Sequence, residues 1–258
     1  MRRLPVLLSI IALSAGASAD PELTAGEILR RMLRNDAFGF NGSEVRMRMV
    51  LSSRDGSHRT RVFESLSRKD GDEVRSIVRF REPADVAGTA FLLLQHADRE
   101  DEQYVWLPAL RRTRRIVGRE RQGSFMGSDF TYADLDQRDL RQGASSRRLA
   151  DERLGQSDCY VLESTPGASS ASQYGRIQVW VRKADHVPLR IKFFDRSGRL
   201  LKTMYSRRVT TMQGRPVIME SRMQNAQDGH STDLVIESIR FRNDVPADLF
   251  TARSLERG

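Results

Sequence analysis

From Glu44 onward the chain alternates between apolar and polar residues. Val45, Met47, Met49 and Leu51 are apolar and Arg46 and Arg48 stand between them, the period of two expected of a strand with one buried face. Arg54-Asp55-Gly56 turns the chain and a second strand runs to Lys69. Asp70-Gly71-Asp72 turns it again before Val74, Val78 and Phe80 mark a third strand, so the pattern predicts a meander of antiparallel hairpins. Ahead of the meander, Thr24-Ala25-Gly26-Glu27 has capping-box spacing and Ile28, Leu29, Met32 and Leu33 follow at helical spacing. This predicts an amphipathic helix from about Ala25 to Arg34.

Glu82-Pro83-Ala84-Asp85 interrupts the alternation before Thr89–Gln95, whose Ala90-Phe91-Leu92-Leu93-Leu94 run is apolar on both faces. Such a strand must be covered twice, for example by a helix or a ligand on one side of a curved sheet. Tyr104-Val105-Trp106-Leu107 is a second strand of this kind and ends at Pro108, which has no N–H for a ladder. Later strands are expected over Cys159–Glu163, Arg176–Arg182, Leu189–Phe194, Leu200–Arg207, Pro216–Met223 and Thr232–Phe241, separated by Asp/Gly-rich turns. Ile177, Val179 and Val181 share one face of their strand, and Gln178, Trp180 and Arg182 share the other. Regular short strands with few helices predict a barrel or sandwich in one domain, closed by a helical turn around Leu249-Phe250.

The stretch Gln103–Leu135 departs from this regularity. Six arginines fall within eleven residues (Arg111, Arg112, Arg114, Arg115, Arg119 and Arg121), followed by Ser124-Phe125-Met126-Gly127-Ser128-Asp129-Phe130. Gly123 and Gly127 read as hinges of an apolar flap, and Ser128 or Asp129 as the cap of a short helix carrying Tyr132 and Leu135.

From LPALRRTRRI to SFMGSDFTYADL the sequence resembles the exported Gram-negative outer-membrane lipoprotein-sorting proteins, relatives of LolA and LolB, with SFMGSDF the most specific element. The resemblance implies a mainly β fold: a half-open antiparallel β-barrel with an N-terminal helix across it, a short helical flap over its mouth, and an apolar cavity for lipid or acyl chains. It brings no catalytic residue. On this reading Phe91, Leu93, Tyr104 and Trp106 line the cavity, and Phe125, Met126 and Phe130 form a gate or else plug the core. Arg111, Arg112, Arg114 and Arg115 meet lipid headgroups or an acidic partner, or serve solubility alone. The expected function is non-enzymatic: a carrier holding lipid or lipoprotein acyl chains for transfer between membranes, with transient membrane contact. A second reading is an accessory binding module of an inner-membrane exporter of the resistance-nodulation-division type, and a third is a lipid-modifying hydrolase built on Ser128.

Composition agrees with export. Arg2 and Arg3, an apolar core from Leu4 to about Ala15, and Ala17-Ser18-Ala19 make residues 1–19 read as a signal peptide cleaved after Ala19. The core is shorter than the roughly 20 residues of a spanning helix. Removing those residues, with two arginines, from a chain of 258 at formal charge +9 leaves 239 residues (20–258) at +7. One such basic periplasmic domain suits anionic headgroups or an acidic partner. The export signal and the lack of a recognisable nucleic-acid motif oppose nucleic acid. One cysteine, Cys159, excludes an intramolecular disulfide, and four scattered histidines have no metal-ligand spacing. No G-x-S-x-G elbow, P-loop or dinucleotide fingerprint occurs, so neither a cofactor nor a metal is expected.

Overall fold

A computed structural model describes residues 23–34, 42–97, 99–136, 138–141, 145–167, 172–242 and 244–257. The candidate signal peptide lies outside these residues. Among them, thirteen strands form one sheet. The first six are β1 (Ser43–Ser52), β2 (His58–Asp70), β3 (Glu73–Glu82), β4 (Ala90–Gln95), β5 (Glu102–Leu107) and β6 (Arg112–Arg115). After an interlude of short helices come β7 (Ser145–Leu154), β8 (Ser157–Thr165), β9 (Tyr174–Arg182), β10 (Pro188–Asp195), β11 (Leu200–Met212), β12 (Arg215–Asn225) and β13 (Ser231–Phe241). Each strand pairs antiparallel with its neighbour in sequence, with one exception: β1 pairs with β13, joining the two meanders back to back. The outermost strands, β6 and β7, are not paired to each other, so the sheet is a half-open barrel.

The alternation of β1 places Val45, Met47, Met49 and Leu51 in the main core on the concave face. Ile177, Val179 and Val181 of β9 join the same core, while Trp180 points outward to Cys159 and Val161, as the period of two requires. The helix α1 (Ala25–Arg34) lies over this face against β7 and β8 and sinks Ile28, Leu29 and Met32 into the core. Its start is fixed by the Thr24 hydroxyl, which accepts from the Glu27 N–H at 3.2 Å.

The doubly apolar strand β4 is covered on both sides. Phe91 and Leu93 face the concave core, whereas Ala90 and Leu92 face outward into a second cluster with Ile77, Val245, Phe250 and Leu255. The C-terminal segment, with short 3-10 turns at Ala247–Leu249 and Ala252–Glu256, lies over that outer face. Arginines on the outer face hold its backbone: Arg79 donates to the carbonyls of Ser254 (2.6 Å) and Leu255 (3.1 Å), and Arg68 to that of Val245 (2.7 Å).

Candidate functional site

Between β6 and β7 the chain crosses the mouth of the half-barrel. It forms a 3-10 turn (Gly118–Gln122), a tight loop, and two short helices, α2 (Tyr132–Asp136) and α3 (Arg138–Arg141). The loop is a miniature hairpin. Phe125 N–H donates to the Phe130 carbonyl at 2.7 Å, Ser128 N–H donates to the Phe125 carbonyl at 3.0 Å, and Ser124 bridges Thr131. Met126 and Gly127 are both left-handed, with φ of 52° and 72°, which makes a type I′ turn and explains the glycine. Gly123 has an ordinary extended backbone (φ −65°), so it is not a glycine-specific hinge; a side chain there would press the Glu120 carbonyl at 3.0 Å.

This hairpin drives Phe125 and Phe130 into the barrel, where both are buried. Phe125 sits 5.4 Å from Phe91, 5.8 Å from Phe80 and 5.7 Å from Tyr132, ring centre to ring centre. Met126, at the tip, is only partly buried against the core. Two apolar cavities flank Phe130. One, enclosing about 610 Å³ with its open mouth, is lined by Met32, Leu140, Tyr174, Ile191, Phe193 and Met223. The other, about 530 Å³ measured likewise, is lined by Met47, Met49, Phe63, Phe91, Leu93 and Phe125.

Tyr104 and Trp106 do not line either cavity. Tyr104 is paired with Leu92 and Trp106 with Ala90, so both face outward and pack under the C-terminal segment. Sequence showed that β5 was apolar on both faces but not which face met which partner. The inward residues of β5 are Val105, opposite Phe91, and Gln103, whose amide donates to the Tyr132 carbonyl at 3.0 Å.

Ser128 and Asp129 do not cap a helix either. The Ser128 hydroxyl donates to the Phe125 carbonyl at 2.7 Å and accepts from Phe130 N–H at 3.3 Å, closing its own turn. The cap of α2 is Thr131: its hydroxyl accepts from Asp134 N–H, and the Asp134 carboxylate accepts from Thr131 N–H at 2.6 Å. Asp129 ties the flap to the sheet, since Thr232 of β13 donates its hydroxyl to Oδ2 at 2.7 Å while Asp129 N–H donates to that hydroxyl at 3.0 Å. Burial holds the Asp129 carboxyl above its usual pKa, against the pull of the Thr232 hydrogen bond.

A polar latch inside the barrel was not foreseen. Lys202 of β11 points inward, donating to Asp134 Oδ2 at 2.6 Å and to the Asp129 carbonyl at 3.0 Å, and Tyr174 donates to Asp134 Oδ1 at 2.8 Å. Burial and the adjacent Asp134 push the Tyr174 phenol well above its usual pKa. The one available signal was position: Lys202 stands two residues before Met204, on the face that alternation assigns to the core.

The arginine cluster divides. Arg112 and Arg114 lie opposite Leu107 and Val105, on the concave side of edge strand β6, while Arg115 lies opposite Tyr104 on the outer side. Arg111 occupies the turn before β6 in a left-handed conformation. Arg114 pairs with Glu120 at 2.8 Å, and Arg115 lies 3.8 Å from Glu102. Arg121 is buried and donates to the Asp101 carbonyl, a structural role.

A family model described as an uncharacterized protein matches residues 72–257. A provisionally designated outer membrane lipoprotein-sorting protein domain from Vibrio parahaemolyticus is 33% identical, with 90% of this chain and 97% of that one covered and a TM-score of 0.82. A DUF1329 family protein from Desulfovibrio piger is 28% identical, with 90% and 98% covered and a TM-score of 0.81. A LolA superfamily protein from Nitrosomonas europaea, 24% identical with 89% and 98% covered, shares the fold at a TM-score of 0.70. No curated protein matches the chain.

Proposed function

The chain belongs to the outer-membrane lipoprotein-sorting family, and from that premise we propose that it is a periplasmic carrier that shields lipid or lipoprotein acyl chains beneath its flap and passes them between membranes. The observation that carries this reading is the pair of apolar cavities on the concave face, separated by Phe130 of the flap. Cargo enters by displacing Phe125 and Phe130, which joins the two cavities into one groove along the sheet. Each CH₂ moved from water into that groove contributes about 0.8 kcal/mol, so a long chain is held without covalent chemistry. Export through the leader at residues 1–19 places the protein where such cargo travels. Arg111, Arg112 and Arg114, exposed around the edge strand, meet anionic headgroups while cargo changes hands.

Native mass spectrometry of the protein purified from periplasm tests the proposal. Lipid bound in stoichiometric amount is expected, and protein free of lipid after purification from a lipid-rich extract overturns it.

One observation favours the second reading, an accessory module for an inner-membrane exporter. Leu110 and Val117 are exposed apolar residues (67% and 51%) at either end of edge strand β6. Stable co-purification with an inner-membrane exporter, without lipid, selects that reading instead.

A further inference from the structure

Arg61 stands on the concave face of β2, two residues before Phe63 and directly opposite Met49 of β1. The side chain is buried, 9% exposed, and its Nη1 is sealed from solvent with no hydrogen-bond partner. Its guanidinium lies under the flap turn, where a methyl group built on Gly127 would come 3.8 Å from Nη2 and 4.0 Å from Nη1. Met49 and Phe63, its neighbours along and across the strands, both line the second cavity, and so does Phe125, two residues before Gly127. A cation is thus placed beneath the flap at the edge of that cavity, beside Met49 and Phe63 of its lining. Burial lowers the Arg61 pKa, Arg59 acts in the same direction, and Asp85 of the β3–β4 loop opposes them at longer range.

A buried guanidinium without an acceptor is destabilising, and buried polar groups left unsatisfied call for an explanation beyond packing. The planar fork of arginine matches a carboxylate or a phosphate with two parallel hydrogen bonds. Resting on the carrier reading, we infer that Arg61 is the recognition site for an oxyanion at the head of the cargo, a carboxylate or phosphate whose acyl chain lies along Phe63 and Phe91 in the second cavity. The absence of a side chain at Gly127 leaves the approach to the guanidinium clear, and the exposed Arg59 at the start of β2 draws the anion towards it. The cargo is therefore selected by its head as well as by its chain.

Titration calorimetry of delipidated protein with hexadecanoate, hexadecyl phosphate, hexadecanol and inorganic phosphate, each below its aggregation limit, tests this. At least one of the two anionic amphiphiles is expected to bind about tenfold or more tighter than hexadecanol, as hydrogen bonds to a charged group require. The tighter of the two identifies the head. Arg61→Met should reduce both to the hexadecanol level, leave hexadecanol binding unchanged and melt no lower than the wild type, because it removes an unpaired buried charge. Arg61→Lys, which keeps the charge and loses the fork, should retain only part of the preference and serves if the Met variant does not fold. Equal binding of hexadecanol and both anions by the wild type overturns the inference and leaves the carrier reading standing. Inorganic phosphate binding as tightly as hexadecyl phosphate also overturns it. If none of the three chains binds, the carrier reading fails and this one with it.

Discussion

The Nζ of Lys202 on β11 lies 2.6 Å from Oδ2 of Asp134 on α2, so one buried ion pair fastens the flap to the floor of the barrel. Removing one partner of such a pair strands the other charge in the interior, at a cost of about 3–5 kcal/mol. Lys202→Met is therefore expected to lower stability by that amount in urea unfolding, and Lys202→Met combined with Asp134→Asn, which removes the stranded charge and still accepts from Tyr174, to recover part of it. A double variant no more stable than the single one would refute the pairing as the energetic link.

Phe130 divides two cavities and Phe125 is the hub of an aromatic cluster, so truncating either to alanine should cost about 3–5 kcal/mol. If both are also the gate, lipid retained per folded molecule should fall in the Phe125→Ala, Phe130→Ala variant while the β-sheet circular dichroism signal stays. Comparing thermal melting with co-purified lipid checks both: lower melting with undiminished lipid per folded molecule means the aromatics are core alone.

Ser128→Ala removes an acceptor from the buried turn and leaves Phe130 N–H without a partner, for a loss of about 1–3 kcal/mol. Thr131→Ala removes the cap of α2 at about 0.5–2 kcal/mol. Lipid binding by the folded Ser128→Ala protein should remain intact. Loss of function with stability and lipid binding unchanged would instead restore Ser128 as a nucleophile.

Asp129 gives the flap a pH dependence of defined sign. Its folded pKa is raised, so between the usual aspartate value of about 3.9 and the folded value the native protein binds the proton that the unfolded chain has released. Stability from this group is greatest at the acid end and declines as pH rises through that window. Asp129→Asn, which can still accept from Thr232, should match the wild type at the acid end and exceed it in melting temperature above the window. A difference between the two that does not change with pH rules out this titration.

Much of the fold was legible because alternation is a local signal: α1 begins and ends at the predicted residues, and the later strands appear where predicted, extended by up to several residues. Strand β7 escaped because Ser145–Leu154 is an edge strand, mostly exposed, and SSRRLADERL carries no apolar alternation. The candidate site was half legible. Phe91, Leu93, Phe125 and Phe130 meet around the cavities, whereas Tyr104 and Trp106 were misplaced because a strand apolar on both faces does not say which face the C-terminal segment will take. Lys202 and Arg61 were missed for one physical reason: a cation at an inward position reads as a break in the pattern, and only the surrounding fold shows where it points.

The pairing of β1 with β13 also dictates an order of assembly. Ser43 must wait for Phe241, so the first of the described strands has an open edge until the last one, β13, arrives. Local hairpins within each meander close quickly, but the seam between them carries the loop-closure penalty of nearly the whole chain. Until it closes, Val45, Met47 and Met49 belong to a sheet with an exposed apolar edge, the species most prone to aggregate. Weakening the β13 ladder should therefore slow folding more than it speeds unfolding.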